Sequence, residues 1–252
     1  MIRVVSGAGL RIAFAALFIT AVVPTCARAM GGAAAGDDQE PSRLVVMADL
    51  NHDGIADIAE VMPGDGSHNS ILKVSLGQSG GGFRPLWAGA VLGREPRAIA
   101  AGDFNGDGYP DLIVGDNDGV LMLFLGDGTG RLARAEDFAR LDSISSITVA
   151  DFDRDGVADI AASDWKGGVV TIFLGTSGGS LRRGWAFRLK LPGVDAQLSA
   201  ADFNGDGNPD LAVIYADEDQ YTFDVMLGDG KGVFVRSPEL SYARDPNSHC
   251  PA

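Results

Sequence analysis

Cysteine is nearly absent from this chain: Cys26 and Cys250 are the two in 252 residues. That scarcity excludes a disulfide-stapled scaffold and any zinc site built from several thiolates. Histidine is equally scarce, with His52, His68 and His249 the whole supply, so imidazole acid–base chemistry has little material. Basic residues are outnumbered, 20 Lys and Arg against 34 Asp and Glu, for a formal net charge of −14. A chain so poor in cations disfavours nucleic acid and anionic membrane surfaces, where binding rests on neutralising phosphates. No nucleophile elbow, zinc signature or phosphate-cradling glycine loop occurs.

Long apolar runs are also lacking, apart from one near the N-terminus. Ile12 to Pro24 is nearly uninterrupted, broken by Thr20, preceded by Arg3 and Arg11 and followed by Ala27-Arg28-Ala29. It is shorter than the roughly 20 residues of a bilayer span and carries the marks of a Sec-type signal peptide, with cleavage expected after Ala29. A lipid-anchored variant at Cys26 is disfavoured by Thr25 just before it. The expected compartment is therefore secreted or periplasmic, with no membrane span after cleavage. Removing residues 1–29 takes three arginines and no acids, shifting the net charge to −17, and leaves Cys250 as a single tail thiol. Residues 30–41 read as a flexible linker, 42–237 as the folded body and 238–252 as a flexible tail.

What the chain has in quantity is glycine, 35 residues, gathered in turn-like clusters between apolar runs as an all-β protein requires. It also has a repeat. Four nine-residue acidic segments recur: DLNHDGIAD at Asp49–Asp57, DFNGDGYPD at Asp103–Asp111, DFDRDGVAD at Asp151–Asp159 and DFNGDGNPD at Asp202–Asp210. Their first residues lie 54, 48 and 51 positions apart, so the chain is an array of nearly equal units.

Each unit predicts about four strands. Val45, Ile99, Ile147 and Leu198 stand four positions before the first Asp, and Met47, Ala101, Val149 and Ala200 two before, an alternation that marks a strand entering the loop. Ile58, Leu112, Ile160 and Leu211 open a second apolar run after the last Asp, a third run ends in a Leu-Gly turn, and a variable fourth leads onward. The second loop residue, Leu50, Phe104, Phe152 or Phe203, is expected to pack between neighbouring units, because a four-stranded sheet with two apolar faces must be covered by its neighbours.

The loop chemistry follows from oxygen geometry. Calcium takes six to eight hard oxygens at about 2.3–2.6 Å, and acids or amides at positions 1, 3 and 5 bring alternate side chains inside a tight curl. Position 6 is Gly54, Gly108, Gly156 or Gly207, where the chain must turn. Position 7 offers its carbonyl, and position 9 returns to Asp. The first copy even satisfies the helix–loop–helix calcium pattern, with Glu60 at position 12, but Val114, Ala162 and Val213 stand there in the others. The β-alternating flanks reject that reading and make Glu60 an edge-strand or surface residue.

Asp-x-Asn/Asp-x-Asp-Gly-x-x-Asp after an apolar strand, with a later Leu-Gly-Asp-Gly turn, resembles the FG-GAP or VCBS repeat of integrin-α-type β-propellers. The resemblance covers nearly all of residues 42–237. It implies an all-β fold of about four four-stranded blades, a small closed ring or a partial propeller, with calcium in the hairpin loop between the first two strands of each blade. The ligands it implies are Asp49, Asn51, Asp53, Ile55 and Asp57; Asp103, Asn105, Asp107, Tyr109 and Asp111; Asp151, Asp153, Asp155, Val157 and Asp159; and Asp202, Asn204, Asp206, Asn208 and Asp210, with position 7 contributing its backbone oxygen.

The function expected from this reading is a secreted binding or adhesion module for a carbohydrate or protein ligand, with calcium structural. The alternatives are a structural subunit of an envelope or secreted assembly and, with least support, a calcium-assisted lyase or hydrolase. No enzyme activity is expected, and a homo-oligomer is left open. Trp165 is the candidate sugar platform and Trp87 and Trp185 lie in fourth-strand regions; for each of the three, packing between blades is the favoured expectation. Asp116, Asp118, Asp217, Glu218 and Asp219 are expected in solvated turns.

Overall fold

In the computed structural model, residues 44–63, 70–92, 95–190, 193–216 and 221–244 are described. The expected signal peptide and linker, the acidic run 217–219, His68, His249 and Cys250 lie outside them. No helix long and apolar enough to cross a membrane occurs among the described residues.

The strands fall into four consecutive antiparallel sheets, each in chain order. The first holds β1 (Leu44–Ala48), β2 (Asp57–Pro63), β3 (Ser70–Gly77) and β4 (Phe83–Leu92); the second holds β5 (Pro96–Gly102), β6 (Asp111–Asp116), β7 (Val120–Gly126) and β8 (Leu132–Arg140). The third holds β9 (Ile144–Ala150), β10 (Asp159–Asp164), β11 (Val169–Thr176) and β12 (Ser180–Arg188). The fourth holds β13 (Ala196–Ala201), β14 (Asp210–Ala216), β15 (Tyr221–Gly228) and β16 (Phe234–Arg236), to which β17 (Tyr242–Arg244) adds beside β15. The expected tail from residue 238 therefore contributes a strand: after Ser237 the chain bends away and returns to pair Tyr242 with Phe223. Ser241 holds that return by accepting the Val225 amide at 2.9 Å.

Register repeats from blade to blade. The residue before each acidic loop pairs with the last residue of the loop, Ala48 with Asp57, Gly102 with Asp111, Ala150 with Asp159 and Ala201 with Asp210. Because neighbouring blades cover both faces, the second strands DLIVGD and DIAASD are buried along their whole length. Glu60 lies on β2, paired on one side with Val45 and on the other with Lys73. It is therefore on an interior strand of its sheet, not an edge.

The inner strands β1, β5, β9 and β13 pack in succession, and three apolar cores fill the seams. Leu50, Val74 and Leu76 meet Leu112, Phe124 and Leu132 in the first; Phe104 and Leu123 meet Ile160, Phe173 and Leu181 in the second; Phe152 and Ile172 meet Leu211, Met226 and Phe234 in the third. Each large side chain buried there stabilises by about 1.5–3 kcal/mol relative to exposure. No comparable packing returns β13 to β1 among the described residues. The four blades form an open arc, so the partial-propeller expectation holds and the small closed ring does not.

Candidate metal centre

All four acidic loops are built on one hydrogen-bond plan. The position-1 carboxylate curls the loop by accepting amides five and four residues on: Asp49 from Gly54 at 2.8 Å and Asp53 at 3.0 Å, Asp103 from Gly108 and Asp107, Asp151 from Gly156 and Asp155, Asp202 from Gly207 and Asp206. The position-5 carboxylate accepts the position-7 amide at 2.8 Å in every copy. That bond holds position 7, where the expected backbone ligands Ile55, Tyr109, Val157 and Asn208 sit, in the curl of the loop.

Two residues per loop need left-handed backbone. Position 6 is glycine throughout, with φ between 83° and 89°. Position 4 was not anticipated: Gly106 and Gly205 stand there in two loops, but His52 and Arg154 adopt φ of 58° and 62° in the others. A substituent at Gly54, Gly108, Gly156 or Gly207 would meet nothing within 4 Å, so conformation, not space, demands glycine there.

The position-9 residues Asp57, Asp111, Asp159 and Asp210 are completely buried. One oxygen accepts the position-2 amide, and in the first and third loops the position-3 amide as well. The other accepts the amide of a glycine in the last two residues of the third strand, Gly77, Gly126, Gly175 or Gly228, at 2.7–2.8 Å. These carboxylates thus lock the loop to the sheet, a role that sequence spacing alone does not reveal. Burial pushes the Asp159 carboxyl up to about 7, against the lowering pull of the Gly175 amide and with help from Asp153. It pushes Asp111 up to about 6 and Asp57 upward. A buried anion beside like charges favours a proton or a cation.

The third loop differs at position 3. Asn51, Asn105 and Asn204 each donate from Nδ2 to the position-5 carboxylate at 2.8–3.0 Å, so the amide ties up an oxygen in those loops. Asp153 cannot donate. Its Oδ1 is buried with no partner, burial raises its pKa, and Asp151, Asp153 and Asp159 bring oxygens within 4.8 Å of one another. An orphaned carboxylate oxygen among three converging hard donors fits a calcium-class cation.

The loops also touch in series. Position 4 of one meets position 7 of the next: His52 packs edge-on to the Tyr109 ring at 5.7 Å, Arg154 Nη1 donates to Asn208 Oδ1 at 3.2 Å, and Gly106 faces Val157. The four loops therefore form one continuous row along one rim of the arc.

Elsewhere, Trp87 and Trp185 pack against the first and third seams, with Trp185 5.6 Å from Phe234. Trp165 is partly exposed at the hairpin turn between β10 and β11 and carries Lys166 Nζ 5.5 Å from its ring centre. Asp118 is exposed as expected, but Asp116 is buried and accepts the Val120 amide at 2.8 Å. It closes the β6–β7 turn instead of facing solvent. Sequence reading also missed a buried Asp224, which accepts from the Tyr215 hydroxyl at 2.9 Å and pairs with Arg236.

Chain-ordered four-stranded sheets packed side by side, each with an acidic loop between its first two strands, define a β-propeller repeat protein. Two family models match: the FG-GAP-like repeat over residues 49–114 and 103–162, and the FG-GAP repeat over 196–232. The chain is an FG-GAP repeat protein. It is similar to integrin alpha-V of Gallus gallus, 28% identical over 211 residues, covering 71% of this chain and 20% of that one; the chain thus spans about one fifth of that relative's length. Among solved structures it is similar to an exotype rhamnogalacturonan lyase, YesX, at 12% identity and a TM-score of 0.39, covering 77% of this chain and 49% of the other.

Proposed function

We propose that the protein is an extracellular calcium-binding β-propeller that acts as a binding or adhesion module. Calcium in the acidic loops is structural, and the ligand is a carbohydrate or a protein. The observation that carries the metal reading is the third loop, where the unpartnered Asp153 Oδ1 converges with Asp151 and Asp159. Calcium supplies the charge that these carboxylates lack, while the chain's own part is to hold the oxygens in place through the amides of the loop and of Gly175.

The adhesion reading is supported by membership of the repeat family that the integrin relative also carries. In this reading no residue has a catalytic role, and the half-exposed Trp165 beside Lys166 is the ligand platform. The test is an array of glycans and extracellular proteins probed with the secreted chain in calcium. Binding that disappears in chelator and falls at least tenfold in Trp165→Ala supports the module. Absence of any binding partner on the array contradicts it and leaves the structural-subunit reading.

A further inference from the structure

Each blade carries two residues that find burial only across a seam. One is the second residue of the acidic loop, on the face turned toward the next blade. The other stands at the start of the outermost strand on the opposite face, paired with the glycine near the end of the third strand: Phe83 with Gly77, Leu132 with Gly126, Leu181 with Gly175, Phe234 with Gly228. Inside the arc they come together at every seam. Leu50 shares the first core with Leu132, Phe104 the second with Leu181, and Phe152 the third with Phe234, where the rings meet edge-on at 5.3 Å.

One of each kind is left over, at opposite ends of the arc. Phe203, on the fourth blade, is 40% exposed, whereas its counterparts Leu50, Phe104 and Phe152 are at most 1% exposed. Phe83, on the first blade, is 46% exposed, whereas Leu132, Leu181 and Phe234 are 3–9% exposed. The neighbouring positions agree. Ile214, on the fourth blade's face away from the third, is 49% exposed where the equivalent Val61 of the first blade is 3%. A substituent on Gly130, Gly179 or Gly232 would meet the preceding blade, but one on the equivalent Gly81 would meet nothing within 4 Å.

We infer that these two faces are halves of one further seam, completed by a second copy of this chain, with Phe83 of one copy packed on Phe203 of the other. The surface matches an interface already formed three times inside each arc, and that continuity identifies its occupant as another blade of the same kind. Two four-bladed arcs joined at both ends give eight blades, within the range of roughly four to eight that propellers adopt. A head-to-tail contact of this sort closes instead of propagating when the rotation completes a turn.

The new seam is more polar than the internal ones. Glu60, Lys73 and Ser75 stand on the first blade where Val114, Met122 and Phe124 stand on the second, and Gln197 and Ser199 stand on the fourth where the second has Ala98 and Ala100. That mixture suits a contact between separately folded chains, which need a soluble face before they meet. The inference does not depend on metal in the loops.

Light scattering on the purified full chain in millimolar calcium tests it. Twice the mass of one chain is expected, with Phe203→Asp and Phe83→Asp each halving it while the far-ultraviolet circular dichroism stays unchanged. A second measurement uses Phe83→Cys with Phe203→Cys in a Cys26→Ser, Cys250→Ser background. A disulfide joining two chains on a non-reducing gel supports the seam. A monomer at every concentration, a disulfide within one chain, or a dimer indifferent to both Asp substitutions would overturn it.

Discussion

Asp159 Oδ1 accepts the Gly175 amide at 2.7 Å, and its Oδ2 accepts the amides of Phe152 and Asp153. One fully buried carboxylate thereby ties the start of the second strand, the acidic loop and the end of the third strand into a single unit. Asp159→Ala leaves those amides without their acceptor, and each buried orphan costs about 1–3 kcal/mol. The expected loss is about 3 kcal/mol or more in urea unfolding in chelator, with a further loss in calcium because a ligand of the third loop is removed. Asp155→Ala, in the exposed part of the same loop, should destabilise chiefly when calcium is present.

Gly108 and Gly102 separate two reasons for glycine. Gly108 has φ of 89° and open space around it, so Gly108→Ala should cost only the left-handed strain, about 1–2 kcal/mol. At Gly102 a methyl group would lie 2.9 Å from the Ala158 Cβ and 3.0 Å from Phe104 and Val149. Gly102→Ala should therefore destabilise by overpacking the second seam, about 1–3 kcal/mol, and should also broaden side-chain resonances there. Denaturant midpoints together with methyl NMR distinguish the two.

Thr171 sits at the centre of the third blade with its hydroxyl buried and without a hydrogen-bond partner among the described residues. Met122 occupies the same place in the second blade, four residues before the strand-ending glycine. Thr171→Val keeps the shape and removes the uncompensated polar atom, so it should raise stability by about 1 kcal/mol. A lower melting temperature would count against the assignment.

Much of this architecture was legible from spacing. Four in-register acidic loops fixed the number of blades, and Leu50, Phe104 and Phe152 could be placed in seams because a large apolar side chain on a sheet with two apolar faces must be covered by a neighbouring unit. Phe203 carries the same local signal, yet it is exposed, because among the described residues no blade packs on its side of the fourth sheet. The site was partly legible. Positions 1, 5 and 6 follow from the curl, but the anchoring of position 9 to Gly77, Gly126, Gly175 and Gly228 bridges 15 to 20 residues and leaves no local trace. Asp116 looked solvated for a different reason: its partner is a turn amide four residues on, invisible to composition.

Acidity should reveal the buried carboxylates in the metal-free protein. The folded pKa of Asp159, about 7, and of Asp111, about 6, lie above the ordinary carboxylate value of about 4. The folded state binds these protons more tightly than the unfolded state, so their contribution is fully present below about pH 4 and is lost as pH rises through 6 and 7. In chelator, this part of the stability should decline between about pH 4 and 7. Calcium, which requires the ionised form, should remove the decline. Denaturant midpoints across that range, with Asp159→Asn as the reference, check the sign.

Calorimetric titration of the purified chain with calcium, paired with melting in calcium and in chelator, tests the central claim most directly. The account predicts about four ions per chain, one for each acidic loop, and a melting temperature that rises with calcium and falls back on chelation, as mass action requires of a ligand held by the folded state. No binding heat, together with superimposable melting curves across millimolar calcium and chelator, would contradict it.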